Sequence, residues 1–260
     1  MELEGRVAFI TGAASGIGKS TARTFAREGA SVLVADINFE AARKVAAEIG
    51  EAAQPLALNV TSEADWQKAF SDVDKLHGRL DILVNCAGIG VAGNFEETTL
   101  ADWQMVMDVN LTGVFLGCKN ALALMRKMGT DASIVNISSI AGLVGGEDIA
   151  AYSASKGGVT MLTKSVALHC AQHAQNVRCN SVHPTYVNSE MLDPVAAQFP
   201  SREDMLKGMA ELVPIGRIAE PQDIANMILF LSTEKARMIS GAQMVVDGAQ
   251  LAGLPARHSV

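Results

Sequence analysis

The chain has 260 residues, 49% of them hydrophobic and 19% charged, with 23 glycines and a formal net charge of −7. That composition excludes disorder and suits a single large α/β domain over residues 1–260 that can bury a sizeable core. It also excludes two function classes: no basic stripe exists to displace counterions from nucleic acid, and no apolar run reaches the roughly 18 residues a membrane span needs.

Residues 1–6 lack the basic and apolar regions of a secretion signal, so cytoplasm is the expected address. Arg6-Val7-Ala8-Phe9-Ile10 then reads as a short buried strand, followed at once by the glycine-rich turn 11–18 and a helix-like run to Gly29. Strand, glycine turn and helix together make a phosphate site, because glycines let the backbone approach a pyrophosphate and the free amides at a helix start favour its charge. The expected contacts there are Gly12, Ser15, Gly16, Ile17 and Gly18.

A second strand, 31–36, ends in Asp36, 18 residues after Gly18, where a carboxylate meets a ribose 2′-hydroxyl. Neither Ser15 nor Ile37 offers a cation for a 2′-phosphate, so NAD is favoured over NADP. Helix 39–49 leads to strand 55–60, and helix 62–77 to strand 80–85. Such alternation implies a parallel sheet covered on both faces, a doubly wound Rossmann-type fold. Asn85, Ala87 and Gly88 close the fourth strand and are expected to line the adenine side of a nucleotide cleft.

A helical stretch from about 99 to 127 carries Asn110 in its middle. Asparagine competes there for backbone groups, which predicts a local distortion holding a water beside a reactive lysine. The apolar run 133–138 is a fifth strand that delivers the Ser139 hydroxyl to the carboxyl edge of the sheet. After the loop 143–149, Tyr152 and Lys156 stand four apart on one face of a helix. A nearby ammonium favours the phenolate, so Lys156 is expected to lower the phenol pKa from about 10 and make Tyr152 a usable acid and base. Residues 176–184 form a sixth strand and 241–248 a seventh; 185–215 show no strand pattern and read as a lid over the substrate.

No metal is expected. Cys86, Cys118, Cys170 and Cys179 are too scattered for a zinc pattern, and His169 and His173, though four apart, have no evident third ligand.

Thr-Gly-x-x-x-Gly-x-Gly, Asn-x-Ala-Gly, Ser and Tyr-x-x-x-Lys, in this order and spacing, resemble the short-chain dehydrogenase/reductase family over nearly the whole chain. The resemblance implies a seven-stranded sheet, a nicotinamide cofactor, a homotetramer, and a catalytic tetrad of Asn110, Ser139, Tyr152 and Lys156. It adds Asn59, Val60, Pro184, Thr185 and Val187 to the cofactor contacts, with Tyr152 and Lys156 also touching the cofactor. Three positions depart from the family pattern: Cys86 replaces an Asn, Asn59 an Asp, and Thr185 a Gly.

The expected reaction interconverts a secondary alcohol and a ketone, with Ser139 orienting the substrate oxygen and Tyr152 moving its proton. The apolar loop and lid suggest a neutral, bulky substrate, alicyclic or steroid-like. An NADP-dependent 3-oxoacyl thioester reductase and a catalytically idle nucleotide sensor are the alternatives.

Overall fold

In the computed structural model, residues 1–253 are described apart from 92, 130 and 175, so the end of the expected 1–260 domain lies outside the described residues. The first half runs β1 (Val7–Thr11), α1 (Gly16–Arg27), β2 (Ser31–Asp36), α2 (Phe39–Ile49), β3 (Ala53–Ala57), α3 (Glu63–His77) and β4 (Ile82–Asn85). The second runs α4 (Leu100–Met107), a π turn (Asp108–Thr112), α5 (Gly113–Met128), β5 (Ala132–Ile137), α6 (Ala150–His173), β6 (Val177–Pro184), α7 (Asp193–Ala196), α8 (Arg202–Glu211), α9 (Pro221–Ser232) and β7 (Gln243–Val246).

The seven strands pair in parallel in the order β3-β2-β1-β4-β5-β6-β7. The order reverses between β1 and β4, and ligands of open parallel sheets sit at the carboxyl ends of the strands beside that reversal. Neighbouring residues of a strand serve opposite faces. Phe9 and Leu83 pack with Trp66, Phe70 and Val73 of α3 in one core, while Ile10 and Val84 pack with Phe25 of α1 and Ile224 and Ile228 of α9 in the other. Phe70 stacks on both Phe9 and Trp66, which meet each other at a tilt, with centroids 5.0 to 5.8 Å apart.

Local chemistry sets the helix limits. Asn38 caps α2 by accepting from Ala41 N, Ser62 caps α3 by accepting from Asp65 N, and Gly78 ends α3 in the left-handed region at φ 62°. The expected strand 55–60 lies two to three residues earlier, at 53–57. Its Pro55 is tolerated because β3 is an edge strand, where a missing N–H can face outward. The expected lid, 185–215, is largely helical, carrying α7 and α8. Among the described residues no helix is long and apolar enough to cross a membrane.

Candidate active site

The turn after β1 is built by close backbone approach. A Cβ on Gly18 would lie 2.2 Å from Gly12 O, and one on Gly12, whose φ is +63°, would lie 2.8 Å from Ala87 Cα. Only glycine fits either place. Ser15 precedes α1 with its side chain uncommitted to the cap, and Ile17 packs partly into the core beneath. The Gly16 N–H, at the helix start, donates to the Glu190 carboxylate at 3.0 Å. An anion thus already finds this amide attractive, and its source is 174 residues away in sequence.

Asp36 faces the same turn. Its Oδ2 accepts from Ala14 N at 3.1 Å and its Oδ1 from Asn38 N at 2.9 Å, so the carboxylate is fixed beside the glycines. Ile37 beyond it is 75% exposed. Asn59 instead folds onto its own turn, its Oδ1 accepting from the Thr61 amide (3.1 Å) and hydroxyl (2.8 Å). Val60 lends its carbonyl to Trp66 Nε1 at 2.9 Å.

Asn85 ends β4 buried, and its amide donates to Asn136 Oδ1 (2.8 Å) and Cys118 Sγ (3.5 Å). Thr11, not singled out in the sequence, does the local joining: its hydroxyl accepts both Cys86 N and Ala87 N at 3.0 Å and ties the β4 exit to the glycine turn. Gly88 lies between two of the catalytic candidates, since a Cβ there would be 3.3 Å from both Asn110 Oδ1 and Lys156 Nζ.

The catalytic candidates converge from three elements. Lys156, 3% exposed on α6, donates from Nζ to Ile137 O at the end of β5 (2.9 Å) and stands 5.6 Å from the Tyr152 ring centroid. Ser139 leaves β5, accepts from Ala141 N at 3.1 Å and lies near enough to the Tyr152 phenol to lower its pKa. Asn110 occupies the π turn, the distortion that its mid-helix position predicts. Its Oδ1 accepts from Ile89 N (2.8 Å), and its Nδ2 donates to Ile89 O (2.9 Å) and Ser155 Oγ (3.1 Å). Ser155 in turn donates to Tyr152 O at 2.7 Å, a link the sequence did not single out.

The electrostatics correct one expectation. Burial raises the Tyr152 phenol above its ordinary value, outweighing the lowering by the Ser139 hydrogen bond, with Cys86 raising it further. Lys156 is not what sets it. The same burial pushes the lysine down to about 8 and the Cys86 thiol up to about 12, so the thiol stays protonated and inert.

At the rim, Pro184 ends β6, Thr185 donates from its N–H to Val246 O (3.1 Å) and from its hydroxyl to Gln250 Oε1, and Val187 pairs with Ala219. Thr185 also lines a cavity of about 210 Å³ with Val213, Ile215 and Val246. The imidazoles of His169 and His173 lie 4.8 Å apart on α6. Among the described residues no group of three or more His, Cys, Asp or Glu is placed to hold a metal.

A family model described as enoyl-(acyl carrier protein) reductase matches residues 12–249. A cyclohexanol dehydrogenase of Acinetobacter sp. is 43% identical, over 94% of this chain and 94% of the relative. A 3-alpha-(or 20-beta)-hydroxysteroid dehydrogenase of Mycobacterium bovis is 40% identical over 97% and 92%. An NADP-dependent (R)-specific alcohol dehydrogenase of Lentilactobacillus kefiri is 37% identical over 96% and 98%. Among solved structures, a short-chain type dehydrogenase/reductase from Mycobacterium marinum superposes with a TM-score of 0.90 at 31% identity, covering 97% of this chain and 98% of that one. Fold, site and relatives agree, and the chain belongs to the short-chain dehydrogenase/reductase family of oxidoreductases.

Proposed function

We propose that the chain is an NAD-dependent dehydrogenase that interconverts a secondary alcohol and a ketone. The observation that carries this reading is the meeting of the Ser139 and Tyr152 hydroxyls above a buried Lys156, at the carboxyl edge of the sheet beside the glycine turn. The residues fit a dinucleotide: the turn excludes side chains, Gly16 already holds a carboxylate in the place of a phosphate, and Asp36 is fixed alongside. A nicotinamide cofactor bound there supplies or accepts the hydride.

The chain's own groups do the rest. Tyr152 takes the alcohol proton in oxidation and returns it in reduction, while Ser139 hydrogen-bonds the substrate oxygen and aims it. Lys156, held between β5 and the phenol, is the cation nearest the proton transfer and is positioned for the nicotinamide ribose. Asn110 holds Ile89 and Ser155, and through Ser155 the start of α6, in register with the site. Asp36 favours NAD, with Ile37 supplying no cation.

An alicyclic or steroid-like substrate is supported by the exposed apolar Val144, Met191 and Phe199 of the loop and lid. It is supported too by relatives named for cyclohexanol and hydroxysteroids. A homotetramer is supported by exposed Phe115, Met161 and Leu168 on α5 and α6, and light scattering tests it. The deciding experiment is a panel of secondary alcohols and ketones, cyclohexanol included, assayed with NAD and with NADP. Turnover with neutral alcohols and NAD is expected; reduction of 3-oxoacyl thioesters alone, or binding without turnover, would overturn the reading.

A further inference from the structure

His183 is fully buried at the end of β6, directly behind the catalytic serine. Its Nδ1 lies 2.9 Å from Ser139 O and its Nε2 2.8 Å from Ser181 Oγ. A carbonyl can only accept, so Nδ1 carries a proton; the Nε2 lone pair then receives the Ser181 hydroxyl. The Ser139 carbonyl thus selects the tautomer, and Ser181, whose hydroxyl also has the Ala242 carbonyl 3.4 Å away, supplies the partner of Nε2. Burial lowers the imidazole pKa, the bond to Ser139 opposes this, and the charges of Lys156 and Lys164 lower it further, so the ring is held neutral.

The Ser139 carbonyl receives a second donor, Gly142 N at 3.0 Å, within the short turn that Ser139 caps. That bond fixes the turn internally but does not anchor it to the sheet. His183 does: it joins Ser139, the serine beside the Tyr152 phenol, to the next strand.

We infer that His183 is a positioning residue for the alcohol–ketone reaction: its Nδ1–H, donated to the Ser139 carbonyl and backed by Ser181 at Nε2, holds Ser139 in place beside Tyr152 and the substrate oxygen. This rests on the proposed dehydrogenase function. Its role is in the chemical step, because both ring nitrogens are committed to Ser139 and Ser181 and neither to the glycine turn or Asp36.

The test compares His183→Leu, which removes the donor at similar volume, with His183→Asn, whose amide can still donate to Ser139 O, and Ser181→Ala, which removes the partner of Nε2. With NAD and cyclohexanol as probes, His183→Leu should lower kcat roughly ten-fold to a hundred-fold, as displacements of a positioning group do. NADH affinity should be unchanged, and the primary deuterium isotope effect on kcat should rise as hydride transfer becomes limiting. His183→Asn should recover most of the rate and Ser181→Ala should fall between.

A parent-like kcat in His183→Leu, or an equal loss in His183→Asn, would overturn the inference. If His183→Leu does not fold, the Asn and Ala variants carry the same comparison. Nitrogen NMR of the imidazole in the parent needs no turnover: an Nε2–H tautomer or a charged ring at neutral pH would also overturn it. A parent inert with every alcohol and both cofactors would instead be a failure of the dehydrogenase reading, and the NMR result would still judge the tautomer.

Discussion

Replacing Asp36 with Asn tests cofactor choice, because the amide oxygen can still accept from Ala14 N while the negative charge, and with it the bond from Asn38 N, is lost. The carboxylate is held by two backbone amides, and among the described residues no lysine or arginine forms an ion pair with it. A 2′-phosphate about 6 Å from a half-buried carboxylate would be repelled by about 1 to 3 kcal/mol at effective dielectric constants between those of water and a protein surface. The parent should therefore prefer NAD by roughly ten-fold to a hundred-fold in kcat/KM. Asp36→Asn should erase most of that ratio, and adding Ile37→Arg, at a side chain already 75% exposed, should turn it toward NADP. Steady-state kcat/KM with each cofactor at saturating alcohol gives the ratio, in which damage common to both cofactors cancels. A parent that prefers NADP, or a ratio indifferent to Asp36, would refute the reasoning and point to cations from elsewhere in the chain reaching the ribose.

Tyr152→Phe should lower kcat by about a hundred-fold or more, the span of general acid–base catalysis, and leave NADH affinity within a few fold by fluorescence titration; retained turnover would remove the phenol from the mechanism. Lys156 gives a pH-dependent stability: its folded pKa of about 8 lies below the ordinary 10.5, so the cost of burying the ammonium is fully present below pH 8. That cost is relieved as pH rises toward 10.5, adding up to about 3 kcal/mol in urea unfolding. Lys156→Met should flatten this rise, whereas the raised Tyr152 pKa works oppositely, lowering stability once the unfolded phenol ionises. Glu190→Gln should tighten dinucleotide binding roughly two- to five-fold by weakening an internal anion at the start of α1; unchanged or weaker binding by calorimetry would show that the Gly16 contact does not compete.

The parts legible in the sequence are those encoded locally. Strands such as β1 and β4 lie in a sheet covered on both faces and so read as short apolar runs, and α2 fills the expected range 39–49. Tyr152 and Lys156 are one helical turn apart, so their shared face follows from spacing alone. What spacing does not carry is burial: it gives Tyr152 a cationic neighbour but not the desolvation that raises the phenol. The direction of the Asn85 side chain depends on which face the last residue of β4 presents. The contacts of Glu190 with Gly16 and of His183 with Ser139 join segments 174 and 44 residues apart. A strand-end histidine and a lid glutamate give no local sign of such partners.

The π turn at 108–112 is a phase correction. Val106, Asn110 and Val114 are all buried, at 0%, 0% and 3% exposure, although they recur at a strict spacing of four. In a regular helix each step of four overshoots a full turn by about 40°, so the third of these residues would be displaced by about 80° around the axis. One extra residue in a wide turn takes back about 100°, which returns all three to the inner side. Shortening that turn by one residue would therefore do more than delete a side chain. It would rotate α4 against α5 by a quarter turn or so, draw the amide of Asn110 away from Ile89 and Ser155, and release the first turn of α6 that carries the phenol.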